Sequence, residues 1–205
     1  MALTLPVSGG RDFKNVPAGM HLAICNLLVD AGMQAGTSRF PQLKHRLYVR
    51  FETPEHRVEY EHDGKRIEGP LTIGQWYVAS MNAKAILRQH LEGWRGKRFT
   101  DEEASAFDIE NVLGKPCTII VMEGEDGKTY LRGIGPAPKG CVAKAENPLL
   151  FYAPGASREA YEKLPDWLRK RIEYQGPNEA VPLSGQDSAF EDDIPFAPIP
   201  LRQLW

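Results

Sequence analysis

The sequence predicts a mainly β, barrel-like domain with one middle helix, a few short additional helices and an acidic C-terminal tail expected to be disordered. Three patterns predict it. Leu43 to Glu52 alternates in the two-residue period of a strand, two Asp-Gly dipeptides each separate a pair of strand-like runs, and one long amphipathic pattern interrupts the strands.

Residues 1–15, with Ser8-Gly9-Gly10, read as a flexible lead-in, and Val16-Pro17-Ala18-Gly19 opens the domain, which is expected to span 16–175. Met20 to Asp30 is apolar and rich in Val, Ile and Leu, which suits a long buried strand. Gly32 to Pro41, carrying Arg39 and Phe40, reads as a loop. In the next strand Leu43, His45, Leu47, Val49 and Phe51 point one way and Lys44, Arg46, Tyr48 and Arg50 the other. Glu55 to Glu61 and Lys65 to Ile73 form a hairpin around His62-Asp63-Gly64.

Ser80 is the expected N-cap of a helix from Met81 to about Gly93, with Ala83, Ile86, Leu87 and Leu91 on one face. Thr100 and Glu103 have capping-box spacing and predict a short helix over 101–107. Lys115 to Met122 and Lys128 to Ile134 make a second hairpin around Glu125-Asp126-Gly127, and a short helical stretch is expected over Arg158 to Ile172. Strands interrupted by a helix between the third and fourth sheet segments are compatible with an OB-fold, a five-stranded Greek-key barrel.

The net charge of −2 excludes a uniformly basic surface, but the charge is unevenly spread. Residues 176–205 read as an acidic, Pro-rich tail. From Ser184 onward its charges are Asp187, Glu191, Asp192, Asp193 and Arg202, so the body before it is nearly neutral and any polyanion site must concentrate its cations on one face. Cys25, Cys117 and Cys141 are odd in number and widely spaced, which suits a reducing cytoplasm and no structural zinc. No apolar run reaches membrane-spanning length.

Several groups of residues combine cations with flat rings, the two features that hold phosphates and unstacked bases. Lys44, Arg46 and Arg50 share a strand face with Tyr48, and Lys128, Tyr130 and Arg132 repeat the pattern on a second strand. Trp94-Arg95-Gly96-Lys97-Arg98-Phe99 packs cations and aromatics just after the helix, where Trp94 or Phe99 either stacks on bases or caps the core. Of Trp76 and Tyr77, one is expected in the core. His56, Glu59, Glu61, His62 and Asp63 form the only cluster with metal-ligating chemistry, and a charged hairpin tip accounts for it. No nucleophile elbow, phosphate loop or dinucleotide fingerprint occurs, so catalytic, metal and cofactor residues are all expected to be none.

The run Glu191-Asp192-Asp193-Ile194-Pro195-Phe196 resembles the Asp-Asp-Asp-Ile-Pro-Phe tip of bacterial and phage single-stranded DNA-binding proteins. The body, with Val16-Pro17-Ala18-Gly19, Phe51-Glu52, Trp94 to Thr100, Phe107-Asp108 and Leu113 to Cys117, resembles a group of phage and prophage proteins similar to OB-fold members of that class. The resemblance implies a cytoplasmic, non-catalytic protein that coats single-stranded DNA in replication, recombination or repair and sometimes self-assembles. Tyr48, Trp94 and Tyr130 would stack on bases, and Lys44, Arg46, Arg50, Arg95, Arg98 and Arg132 would meet phosphates.

Asp192, Asp193, Ile194 and Phe196 would recruit replication or recombination proteins. Phe196 is followed by Ala197 to Trp205. The expected modes are therefore recognition of the internal motif, recognition of Trp205, or folding back over the basic face. The alternatives are a metal-dependent nuclease and an interaction protein that inhibits a host DNA-metabolism factor.

Overall fold

The structure is a computed structural model that describes residues 14–35, 42–62 and 65–173. Residues 1–13 of the expected lead-in, Arg39, Phe40, Asp63, Gly64 and the tail residues Asp192, Asp193, Ile194 and Phe196 lie outside the described residues.

A six-stranded sheet carries the fold in the order β3-β2-β1-β4-β5. Its strands are β1 (Gly19–Gln34), β2 (Lys44–His62), β3 (Lys65–Val78), β4 (Pro116–Glu123) and β5 (Thr129–Pro136), all paired antiparallel. A sixth, β6 (Leu150–Tyr152), pairs parallel with Leu27–Val29 of β1. β3 and β5 approach each other across the opening of the curled sheet without a hydrogen-bonded ladder, so the barrel is OB-like but not closed.

β2 merges two expected strands. Leu43–Glu52 and Glu55–Glu61 are one strand because a register shift between Thr53 and Arg57 absorbs Pro54, the residue that cannot donate to a ladder. β3 likewise runs on to Val78, which places Trp76 and Tyr77 on opposite faces. Tyr77 is the buried core member of the pair.

The middle helix, α1 (Ile86–Arg95), begins later than expected. Ser80 does not cap it: its hydroxyl accepts from the Asn82 amide in the preceding turn, and the N-cap is Ala85 with no side-chain bond. Leu87 and Leu91 face the core, and Gly96, at φ 70, ends the helix in the left-handed conformation favoured by glycine. The expected capping box is present in α2 (Asp101–Ser105). There Glu103 N–H donates to the Thr100 hydroxyl and Thr100 N–H to the Glu103 carboxylate.

Two apolar clusters follow from the two faces of the sheet. The main one fills the inside of the curl with Cys25, Leu28, Leu47, Val49, Phe51, Tyr77, Leu91, Phe99, Cys117 and Ile119 among others. The second lies on the outer face, where Leu27, Val29, Ala31 and Tyr48 meet Tyr152, Leu164, Leu168 and Ile172. Those last residues belong to a C-terminal extension containing β6, α3 (Arg158–Glu162) and α4 (Asp166–Arg171). β1 serves both clusters because a register shift around Asn26 changes its alternation: Ala23 and Cys25 face inward before it, Leu28 after it.

Among the described residues no helix is long and apolar enough to cross a membrane.

Candidate nucleic-acid interface

The alternation of β2 turns Leu47, Val49 and Phe51 into the main core and leaves Lys44, Arg46, Tyr48, Arg50 and Glu52 on the outer face. What happens to that face is decided by the extension that lies on it.

Tyr48 is only 7% exposed. Its ring lies 5.0 Å from Trp76 on β3 and 5.2 Å from Trp167 on α4, and burial raises the pKa of its phenol. The expectation of an open stacking ring at Tyr48 is therefore corrected, because β6, α3 and α4 cover it. The aromatic surface at this point belongs instead to Trp76, half-buried, and to Trp167, 49% exposed. Gly74, opposite Arg50, makes the arrangement possible: a Cβ there would lie 1.9 Å from the Tyr48 hydroxyl oxygen.

Arg50 is partly withdrawn from solvent as well. Its Nε donates to Asn26 Oδ1 at 3.2 Å, and burial lowers its pKa. Asn26 is fully buried and its Nδ2 has no hydrogen-bond partner among the described residues. Arg50 thus satisfies the one acceptor of a buried amide, which makes it a structural residue as much as a phosphate ligand. Arg46, two residues earlier and opposite Val78, is half-buried and has no ion-pair partner among the described residues. Lys44, opposite Gln34, is half-buried at the start of the same face.

Trp94 is partly buried against the core. Its Nε1 donates to the Pro116 carbonyl at 2.8 Å and its ring packs 5.6 Å from Phe51, so the expected stacking role is corrected to capping the core. Phe99 is likewise buried, edge-on to Phe107. Arg95 is engaged by a two-point pairing with the Glu103 carboxylate, at 2.9 and 2.7 Å, and its guanidinium lies 4.6 Å above the Phe99 ring. That pairing and the Thr100 amide hold the Glu103 carboxyl at about 2. Arg95, itself at the surface, is thus committed to an intramolecular fork-to-fork contact; Arg98 is also exposed.

Tyr130 and Arg132 sit on the outer face of β5. Tyr130 is 40% exposed, its hydroxyl donates to Asp126 at 2.7 Å, and the Arg132 guanidinium lies 5.8 Å from its ring. Exposed Ile120 and Met122 flank them, with Met122 directly opposite Tyr130. The two basic-aromatic strands are not sheet neighbours: β1 and β4 lie between β2 and β5. The structure therefore gathers Arg46, Trp76 and Trp167 in one place and leaves Tyr130 with Arg132 in another.

Of the possible metal cluster at the hairpin, His56 and Glu59 make other contacts, and the side chains of Glu61, His62 and Asp63 lie outside the described residues. His56 Nε2 is 2.9 Å from His21 Nδ1, and His21 Nε2 donates to the Pro17 carbonyl. Glu59 pairs with Arg66. Among the described residues no group of three or more His, Cys, Asp or Glu is arranged to hold a metal ion. Burial pushes the Cys25 thiol up to about 12 and raises Cys117 well above its ordinary value, so both thiols stay protonated at neutral pH.

Sequence reasoning missed Trp167 and the cations beside it, and also Glu52. The carboxylate of Glu52 is fully buried and accepts from Glu146 N–H, Asn147 N–H and the Asn147 side chain. A signal for Trp167 was present. In Asp166-Trp167-Leu168-Arg169-Lys170-Arg171-Ile172 the apolar Leu168 and Ile172 are four apart, so Trp167, Lys170 and Arg171 must share a different face. No family model, curated protein or solved structure matches this chain.

Proposed function

We propose that this protein binds single-stranded DNA across the outer face of β2 and β3, with weak sequence preference, as a coating protein in phage replication, recombination or repair. The observation that carries the reading is the placement of Arg46 on β2 and the partly exposed ring of Trp76 on β3 on the same outer face of the sheet, with Trp167 of α4 against that face through Tyr48. A duplex hides its base faces, whereas a single strand offers one base to each ring and a phosphate between them. An antiparallel sheet braced from behind by a core holds Arg46 and Trp76 in fixed positions, which lowers the ordering cost of binding.

In this reading the acidic segment with Asp192, Asp193, Ile194 and Phe196 recruits protein partners. The test is fluorescence anisotropy of a labelled oligo-dT with the full chain, titrated across salt and repeated with duplex competitor and with a chain ending at Leu183. Salt-dependent binding that duplex fails to displace is the expected result. Absence of binding by both forms refutes the reading.

A further inference from the structure

The C-terminal extension carries a face that its own packing does not use. In α4 the apolar requirement is met by Leu168, at 0% exposure, and by Ile172 just beyond, at 2%. Trp167 nevertheless stands 49% exposed, touching Tyr48 in an edge arrangement with 81° between the rings. Lys170 and Arg171 follow it at i+3 and i+4, the positions that share its side of a helix, and both are exposed. Asp166 is already paired with Arg169, so it does not neutralise them. The favourable end of the helix dipole explains a preference for cations in the last turn, but not a tryptophan one turn before them.

We infer that α4 is a nucleic-acid-binding element in its own right: Trp167 stacks on a base of the single strand, and Lys170 and Arg171 meet the phosphates that flank it. This rests on the single-stranded DNA reading and deepens it, because it transfers the stacking role from Tyr48 to a ring outside the barrel. Tyr48 then acts as the pedestal. It holds Trp167 on one side and Trp76 on the other, and Arg46 lies two residues along the same strand face, so the path continues from α4 onto the sheet. The ligand chemistry follows: a flexible polyanion with free base faces fits, and a duplex with stacked bases does not.

The test compares three full-length chains by oligo-dT anisotropy across salt, each with a thermal unfolding curve as a folding control. Lys170→Gln with Arg171→Gln removes two surface charges without touching either cluster, and is expected to make the slope of log K against log salt shallower by about 1.4. Trp167→Leu keeps an apolar contact for Tyr48 but removes the ring, and is expected to weaken binding about tenfold. Wild-type binding with an unchanged slope in the double variant overturns the role of α4 while leaving the single-strand reading intact. Unchanged affinity in a folded Trp167→Leu chain overturns the stacking role in the same way. No binding by the wild type refutes the single-strand reading and this inference with it.

Discussion

The carboxylate of Glu52 accepts hydrogen bonds from the backbone and side-chain amides of Asn147, at 3.1 and 2.7 Å, across a sequence separation of 95 residues. A third comes from Glu146 N–H, and Arg57 reaches the Glu146 carboxylate at 2.6 Å from the exposed side of the same strand. A buried carboxylate is tolerated only when its oxygens are satisfied, and here the donors belong to the segment that leads into β6, α3 and α4. Glu52 therefore fixes where the extension begins to cross the sheet, and so where Trp167 lands.

Glu52→Gln should destabilise the protein by about 2–4 kcal/mol, since the amide presents a donor to groups that are themselves donors. Hydrogen exchange is expected to show the loss first at Leu150–Tyr152, which pair with β1, and only later in β2 and β3. Equal loss of protection throughout the sheet would show that Glu52 supports the barrel rather than the extension.

Two glycines separate a hard contact from a softer one. At Gly93 an added Cβ would lie 2.2 Å from the Ile134 carbonyl oxygen, where α1 packs against β5, and backbone cannot swing aside. At Gly74 the obstacle is the Tyr48 side chain, which can turn at the expense of its contacts with Trp76 and Trp167. Gly93→Ala should cost more than Gly74→Ala, the latter about 1–3 kcal/mol by urea denaturation. Gly74→Ala alone is expected to shift the tryptophan emission of the outer cluster. The reverse order of stabilities would contradict this packing.

The pair Arg46 and Arg50 should separate into a binding residue and a structural one. Arg46→Ala is expected to leave the thermal midpoint within a degree or two and to make the salt slope of oligo-dT binding shallower by about 0.7. Arg50→Ala strips the buried Asn26 Oδ1 of the donor it has among the described residues and should cost about 1–3 kcal/mol of stability. An Arg50→Ala chain as stable as wild type would show that the Asn26 contact contributes nothing.

Two histidines should bend the pH dependence of stability in opposite directions. The hydrogen bond from His45 to Asp30, at 2.5 Å, raises the His45 pKa above its ordinary value of 6.5. Its contribution is complete below the unfolded pKa, near 6.5, and is lost as pH rises through the higher folded value. His90 is half-buried beside Tyr77, whose hydroxyl is 2.9 Å from its Nδ1, and desolvation there lowers its pKa. The unfolded chain then takes up that proton first, so the His90 contribution is present above about 6.5 and is lost as pH falls below it. Urea unfolding from pH 5 to 9 should show the alkaline loss vanish in Asp30→Asn and the acid loss shrink in His90→Gln. A pH profile unaltered by Asp30→Asn would rule out the His45 linkage.

Local chemistry made much of the barrel legible. The alternation of Leu43 to Phe51, the Asp126-Gly127 turn and the Thr100–Glu103 box each depend on neighbours a few residues apart, and each appears where the sequence places it. Ser80 failed as a cap because the chain needs another turn, held by Arg88, before α1 can meet β5. Arg88 donates to the carbonyls of Met81 and Phe99, and no cap signal encodes that distance. Trp94 illustrates the same limit from the other side. A tryptophan among cations reads as a stacking ring in one dimension, and only the position of Pro116, far along the chain, turns its Nε1 inward.

Backbone geometry and short-range periodicity made the barrel strands and their apolar faces readable from the residues alone, apart from the merger of two expected strands into β2 and the short β6. Tertiary structure alone decided which of the cations and rings remain open to a ligand. Tyr48 and Trp167 are far apart in sequence, and whether one covers the other depends on a buried carboxylate at Glu52 finding its donors at Glu146 and Asn147. That is a long-range satisfaction of polar groups, which no local pattern records, and it moves the aromatic surface from the barrel strand to the helix that crosses it.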